Sequence, residues 1–277
     1  MNKEMIILEL RNRGYEIKEE SIERNNVVFN GFSIIKEGVN IAPHFKIDEI
    51  LEIAEQKGLS LKALVDEIEQ VYEEVMQDES FDLDKFLNTD FILKHIKIGL
   101  QQISDEPIEK RDTEYEGIES YLYISDSSEQ LKGNISMRLT SSLRAKLNID
   151  DEVLWNTAKA NTFKDTHVNG LREVLDLDCD CNMWIITNKQ GIKGASAILD
   201  KASLNKLALQ LNVSRFIMIP SSVHECIVIP ADEQMCDNVE YYSNMVNIVN
   251  SEVLKSEDKL SDKAYVINTN VLTPILE

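Results

Sequence analysis

Residues 183–229 read MWIITNKQGIKGASAILDKASLNKLALQLNVSRFIMIPSSVHECIVI, and this stretch decides the fold. Met183–Thr187, Phe216–Ile219 and Cys226–Ile229 are short runs of branched or aromatic side chains bounded by Asn, Gly, Pro and Ser, which predicts buried strands. Ala197–Leu199 reads as a further strand. Leu204–Leu211 reads as a helix with Ser203 as its cap. Downstream, Val239–Val253 is expected to be a helix and Ala264–Ile267 a last strand. Strands joined both by single helices and by tight turns indicate an α+β fold, with a mixed or mainly antiparallel sheet and helices packed on it.

Working outward, YLYIS (121–125) and NISMRL (134–139) are rich in β-formers and predict paired strands. Ser141 or Ser142 is placed to cap a helix ending near Leu147, and Asp150 a second helix through VLWNTAKANT. FILKHIKIGLQ (91–101) suits either a strand or a short helix, with strand the preferred reading. Residues 103–119 are charged and poor in apolar groups, the composition of an exposed loop. Nearer the start, NNVVFNGFSIIKEGVNIAPHFKI (25–47) reads as short strands turned at Asn30-Gly31 and Glu37-Gly38. A helix over Ile47–Gln56 is closed by Gly58. Leu61, Leu64, Val65, Ile68, Val71, Tyr72 and Val75 then recur at helical spacing, with Ser60 as cap. Residues 78–90 are acidic and polar. They make the best boundary within what is otherwise a single α+β unit, separating an N-terminal lobe 1–86 from a C-terminal lobe 87–277. No internal repeat is visible.

Charge narrows the class of function. The 277 residues carry 29 basic and 49 acidic side chains, a net charge of −20. Such a surface repels nucleic acid phosphates and anionic lipids and favours a basic protein partner. The acidity is concentrated, with 14 Asp and Glu against 3 Lys between Asp48 and Asp90. Asp66, Glu67, Glu69, Glu73 and Glu74 form the polar face of the helix that begins at Leu61. That face is a solvated surface, a docking site for a basic protein, or an imitation of nucleic acid charge. No run of residues reads as a signal peptide or a membrane span. Four cysteines without framework spacing fit free thiols in a reducing cytoplasm.

Three constellations invite chemistry. In Pro220-Ser221-Ser222-Val223-His224-Glu225 the side chains of a nucleophile, a base and a carboxylate lie within six residues, so Ser221, Ser222 and His224 are candidates for hydrolase-like catalysis. If Val223–Pro230 is a strand, His224 and Glu225 point to opposite faces and cannot pair, so a third partner must come from elsewhere. The bland alternative is a polar turn at a strand entry. In Thr187–Ser196, the residues Asn188, Lys189, Lys193 and Ser196 with two glycines suggest an anion-binding loop, or simply a tight hairpin; the P-loop ending is absent. Asp176, Asp178 and Asp180 resemble the opening of a calcium loop, but Cys181 stands where that loop needs Gly and Thr187 where it needs Glu. Cys179 and Cys181 lack the spacing of a zinc site. No metal and no cofactor is therefore expected. Trp155 and Trp184 read as core, and His95 and His167 stand isolated.

NIAPHFKIDEILEIAEQKGLSLKALVDEIEQVYEE, AKANTFK, TNKQGIKGASAIL, FIMIPSSVHECIVIP and MVNIVNSEVLKSEDKLSDKAYVI occur in this order along nearly the whole chain. Together they resemble a bacterial family known as domain of unknown function 5688, soluble proteins of gut Firmicutes. The family pattern has a Pro-Thr-Ile-Tyr stretch where this chain has Pro43-His44-Phe45-Lys46, and an aliphatic residue in place of Cys226. The resemblance implies no catalytic residues. Two readings follow: a non-catalytic acidic interaction or regulatory protein, and a small-molecule binder or hydrolase-like enzyme built on Ser221, Ser222 and His224.

Overall fold

The computed structural model describes residues 1–35, 44–77, 88–126, 135–176 and 182–269. The chain divides into two compact units, one within Met1–Leu87 and one within Asn88–Asp126 and Ile135–Glu277. Every strand pairing among the described residues is antiparallel, and the fold is α+β.

The first unit begins with α1 (Lys3–Asn12), whose first turn is capped by Asn2 through a bond from the Met5 amide at 3.0 Å. β1 (Glu16–Arg24) and β2 (Val27–Ile35) form a hairpin in which Arg24 pairs with Val27. Asn25 and Asn26 are its two loop residues, both left-handed at φ 51° and 64°, as a primed hairpin turn requires. The chain therefore turns at Asn25-Asn26 and runs straight through Asn30-Gly31, where a turn was expected. Gly31 serves a different purpose: a Cβ there would run into the Phe45 carbonyl and lie 2.6 Å from His44 Nε2. The expected turn at Glu37-Gly38 lies outside the described residues.

β3 (His44–Lys46) joins the edge of β2 and stacks Phe45 on Phe32. α2 (Ile47–Gln56) and α3 (Leu61–Gln77) follow, separated by Gly58 at φ +64° and by Ser60, whose hydroxyl accepts from the Ala63 amide. Leu64, Val65, Ile68 and Tyr72 of α3 close with Ile6 and Leu10 of α1 and Phe32 and Ile34 of β2 into one apolar core.

In the second unit FILKHIKIGLQ is split between α4 (Thr89–His95), capped by Asn88, and β4 (Ile96–Gln102). Residues 103–119 are not an exposed loop. They hold β5 (Lys110–Asp112), and Ser104, Glu106, Ile108 and Tyr115 are buried. β6 (Ile118–Asp126) pairs with β4 on one side and, on the other, with β5 and then β7 (Ile135–Arg138). α5 (Ser141–Arg144) is a single turn capped by Thr140, ahead of α6 (Asp151–Phe163), which Asp150 caps.

A five-stranded sheet completes the unit in the order β12-β10-β11-β9-β8. β8 (Thr166–Gly170), α7 (Leu171–Leu175) and β9 (Trp184–Asn188) are followed by Gly194–Leu199. This last segment is a buried 3-10 helix, not the expected strand; its small residues wind tightly against β9. α8 (Lys201–Leu211) starts earlier than expected because Asp200, not Ser203, is its cap. The Asp200 carboxylate accepts from the Ala202 and Ser203 amides and from the Ser203 hydroxyl. β10 (Arg215–Ile219), β11 (Cys226–Pro230), α9 (Glu233–Asp237), α10 (Val239–Val253) and, after a 3-10 turn at Ser256–Asp258, β12 (Tyr265–Asn268) end the described chain. Ile186, Ile198, Leu204, Phe216, Met218 and Val228 lie at the centre of this core. Trp155 is buried and Trp184 packs half-buried against the core.

Candidate functional site

Antiparallel pairing puts the end of β9 beside the start of β11, since Ile186 faces Cys226, and the start of β12 beside the end of β10, since Tyr265 faces Met218. Three connections therefore meet at one end of the sheet: the loop after β9, the β10–β11 turn and the approach to β12. The two segments singled out in the sequence, Thr187–Ser196 and Pro220–Glu225, are thus brought into contact. A third residue, Asp258, arrives with them.

His224 stands at the centre. Its Nδ1 accepts from the Lys193 backbone amide at 3.1 Å, and its Nε2 lies 3.2 Å from Asp258 Oδ1. An amide can only donate, so Nδ1 is unprotonated, and the ring proton sits on Nε2 and is donated to Asp258. Both ring nitrogens are committed. The Ser222 hydroxyl accepts from the His224 backbone amide at 3.0 Å, and the Ser221 hydroxyl donates to Glu225 at 3.5 Å. Glu225 therefore answers Ser221 and Asp258 answers His224. The strand begins only at Cys226, so strand alternation does not govern His224 and Glu225; the turn geometry does.

Backbone bonds lock the same region. Thr187 Oγ1 donates to the His224 carbonyl at 2.8 Å, the Ala195 amide to the Val223 carbonyl at 3.3 Å and the Val223 amide to the Asp258 carbonyl at 2.8 Å. Gly194 is required by this closeness. A Cβ on it would overlap Thr187 Oγ1 and lie 2.6 Å from the Asn188 amide nitrogen and 2.7 Å from the His224 carbonyl oxygen. Lys193, one residue earlier, is left-handed at φ 52°.

The loop amides that would cradle an anion are largely spent within the protein. Those of Lys189, Gln190, Gly191, Lys193 and Ala195 each donate to a protein acceptor. Asn188 closes the loop from its side chain, accepting from Gln190 and donating to the Ile192 carbonyl. Lys193 Nζ reaches Ser136 and lies 4.9 Å from the Tyr123 ring centroid. Ser196 is buried with its hydroxyl on the Lys193 carbonyl.

The acidic face of α3 is partly neutralised from within its own unit. Arg13 of α1 holds Asp66 and Glu69 at 2.6 Å each and Glu9 at 3.1 Å, and Lys57 holds Glu67 at 3.1 Å. Glu74 accepts from Gln70 at 2.9 Å. Asp66, Glu67 and Glu69 thus tie α3 to its neighbours, and Glu73 is exposed.

A buried polar cluster in the four-stranded sheet had no signal in the sequence. Arg138 donates to Glu106 at 2.5 Å and to Gln101 at 2.7 Å. Gln101 passes the network on to Glu119 at 2.9 Å, which also accepts from the Ser104 hydroxyl and from Lys110. Two carboxylates and two cations balance in a nearly closed space, as buried charge requires. Pairing of β4, β5 and β7 with β6, together with the segment that follows β4, brings these residues together.

Among the described residues no group of three or more His, Cys, Asp or Glu is arranged to hold a metal. The aspartate run of 176–181 lies largely outside the described residues. Burial pushes the Cys226 thiol well above its ordinary range, which removes it as a nucleophile. No helix among the described residues is long and apolar enough to cross a membrane. A family model described as a family of unknown function, DUF5688, matches residues 3–268. No curated protein and no solved structure matches the chain.

Proposed function

We propose, for a chain that belongs to the family of unknown function DUF5688, a non-catalytic role as an acidic cytoplasmic interaction or regulatory protein that acts on a basic protein partner. One observation carries the reading. The Ser–His–carboxylate constellation is turned on itself, with His224 bridging the Lys193 amide and Asp258 while the Ser222 hydroxyl is engaged by a backbone amide. A general base needs a free ring nitrogen within reach of its nucleophile. Here the ring spends both on joining three connections. The net charge of −20 then favours a basic protein over nucleic acid or an anionic membrane.

The direct test is purification of a tagged full-length chain from its host lysate at low ionic strength. A partner that leaves as salt is raised is the expected result. Recovery of none would overturn the reading.

A second reading draws on one specific feature. The His224 and Asp258 side chains are 36% and 32% exposed, so the pair is open to a small polar ligand. That reading requires the Lys193 amide to release Nδ1. Labelling of Ser222 by a fluorophosphonate, lost in His224→Asn, would establish it.

A further inference from the structure

The helix α10 is built inside out. Its inner face packs over β10 with Val246 and the polar Asn250 buried. Asn250 Nδ2 donates to the Ser261 carbonyl at 2.9 Å and to Asp262 at 3.1 Å, and the Ser243 hydroxyl accepts from the Ala264 amide at 2.9 Å. The outward face carries the apolar residues: Tyr241, Met245, Ile248, Val249 and Val253, exposed to 64, 48, 59, 56 and 79%. Positions i, i+4, i+7, i+8 and i+12 lie on one side of an α-helix, so these five side chains share one face, with the exposed Glu252, at i+11, set among them. A stripe of this kind, standing in water while amides and hydroxyls hold the helix down, marks an interaction surface.

Its surroundings identify the occupant. From Asp232 to Val253 there are five carboxylates, those of Asp232, Glu233, Asp237, Glu240 and Glu252, and no Lys or Arg. Arg215 on β10 approaches one of them, Glu233, at 4.0 Å. Beyond Tyr241 the stripe opens into a groove of about 390 Å³ lined by Asp232, Gln234, Met235, Asn238, Tyr241 and Tyr242, where two tyrosine rings and the Asp232 carboxylate suit a cationic side chain. A second copy of the chain fits poorly. Antiparallel pairing of two α10 stripes about a two-fold axis sets Tyr241 against Val253 of the other copy and seats both Glu252 carboxylates in the apolar seam, where residues 232–253 of neither copy offer a Lys or Arg to meet them.

We infer that the α10 stripe is a docking site for an amphipathic helix whose apolar face is flanked by Lys or Arg. The inference rests on the interaction reading above and names its surface and partner chemistry. Helix-in-groove recognition supplies the apolar anchoring, and the carboxylates of Glu252 on the stripe and Asp232 in the groove select the basic partner.

The test uses the full chain and two synthetic amphipathic peptides, one of Leu and Lys and its twin with Glu in place of Lys, titrated by fluorescence anisotropy at low and raised salt. The Leu/Lys peptide is expected to bind and the Leu/Glu peptide to fail. In Met245→Glu/Val249→Glu, affinity for the Leu/Lys peptide should fall at least tenfold, although the added negative charge would strengthen a purely electrostatic contact. Asp232→Asn/Glu252→Gln should weaken binding and flatten its salt dependence. Both variants alter exposed positions, and unchanged circular dichroism melts verify the fold. Equal binding to Met245→Glu/Val249→Glu would overturn the surface assignment while leaving the interaction reading intact. No binding by the wild type would also overturn it, and salt-sensitive capture of a partner from lysate would still stand for the broader reading. Self-association abolished by the same double variant would assign the stripe to a second copy and overturn the basic partner.

Discussion

His44 illustrates how much a single side chain can carry. It is largely buried at the edge of β3, and neither ring nitrogen has a hydrogen-bond partner among the described residues. Burial pushes its pKa below the ordinary 6.5, with Arg24 and Lys46 acting in the same direction and Glu20, 3.9 Å from Nδ1, acting against them. A depressed histidine pKa means that the unfolded chain takes up the proton first as pH falls. The contribution to stability is therefore complete above the ordinary value and is lost as pH drops through the folded one. Amide exchange over β2 in the full chain, corrected for intrinsic rates, should show weaker protection at pH 5.5 than at pH 7.5. His44→Leu should lessen that difference. An equal loss in both proteins would show that His44 is not its source.

At the scale of elements, the sequence was most legible where a periodic apolar pattern coincided with a local cap. α3, with Leu64, Val65 and Ile68 inside and Ser60 at its start, is readable in this way, and so is α6 behind Asp150, whereas α10 is readable from its apolar spacing without a side-chain cap. Less legible were elements whose identity depends on a distant neighbour. Ala197 and Ile198 are apolar enough for a strand, but Gly194 must fit between Thr187 and the His224 carbonyl, and the chain winds into a 3-10 helix there. Residues 103–119 read as a loop because their charges are balanced only across strands. The Arg138–Glu106 pair is the test of that balance, with side chains 13% and 3% exposed. Arg138→Ala leaves Glu106 buried without its cation and is expected to cost about 3–5 kcal/mol in urea unfolding of the full chain. Arg138→Met with Glu106→Gln should recover most of the loss. A cost below about 1 kcal/mol for the single variant would mean that solvent reaches the cluster and screens it.

For the molecule as a whole, two of the candidate segments proved to be neighbours, and their meeting point is where function and architecture are easiest to confuse. SSVHE offers the residue types of a hydrolase, and Asp258, more than thirty residues downstream, supplies the carboxylate that sequence could not locate. The hydrogen bonds give the group a structural use. His224 fastens the loop after β9 to the approach to β12, and the outward apolar stripe of α10 and the acidic charge are left as the features available to a partner. The direct measurement is a long-range ¹H–¹⁵N correlation spectrum of the His224 ring in the full-length protein near pH 7.5, together with exchange of the Lys193 amide. A single neutral tautomer with the proton on Nε2, an acceptor-type Nδ1 and a protected Lys193 amide is the predicted result. A ring protonated on Nδ1, or one averaging between tautomers beside a freely exchanging Lys193 amide, would contradict the account and return His224 to the role of a candidate base.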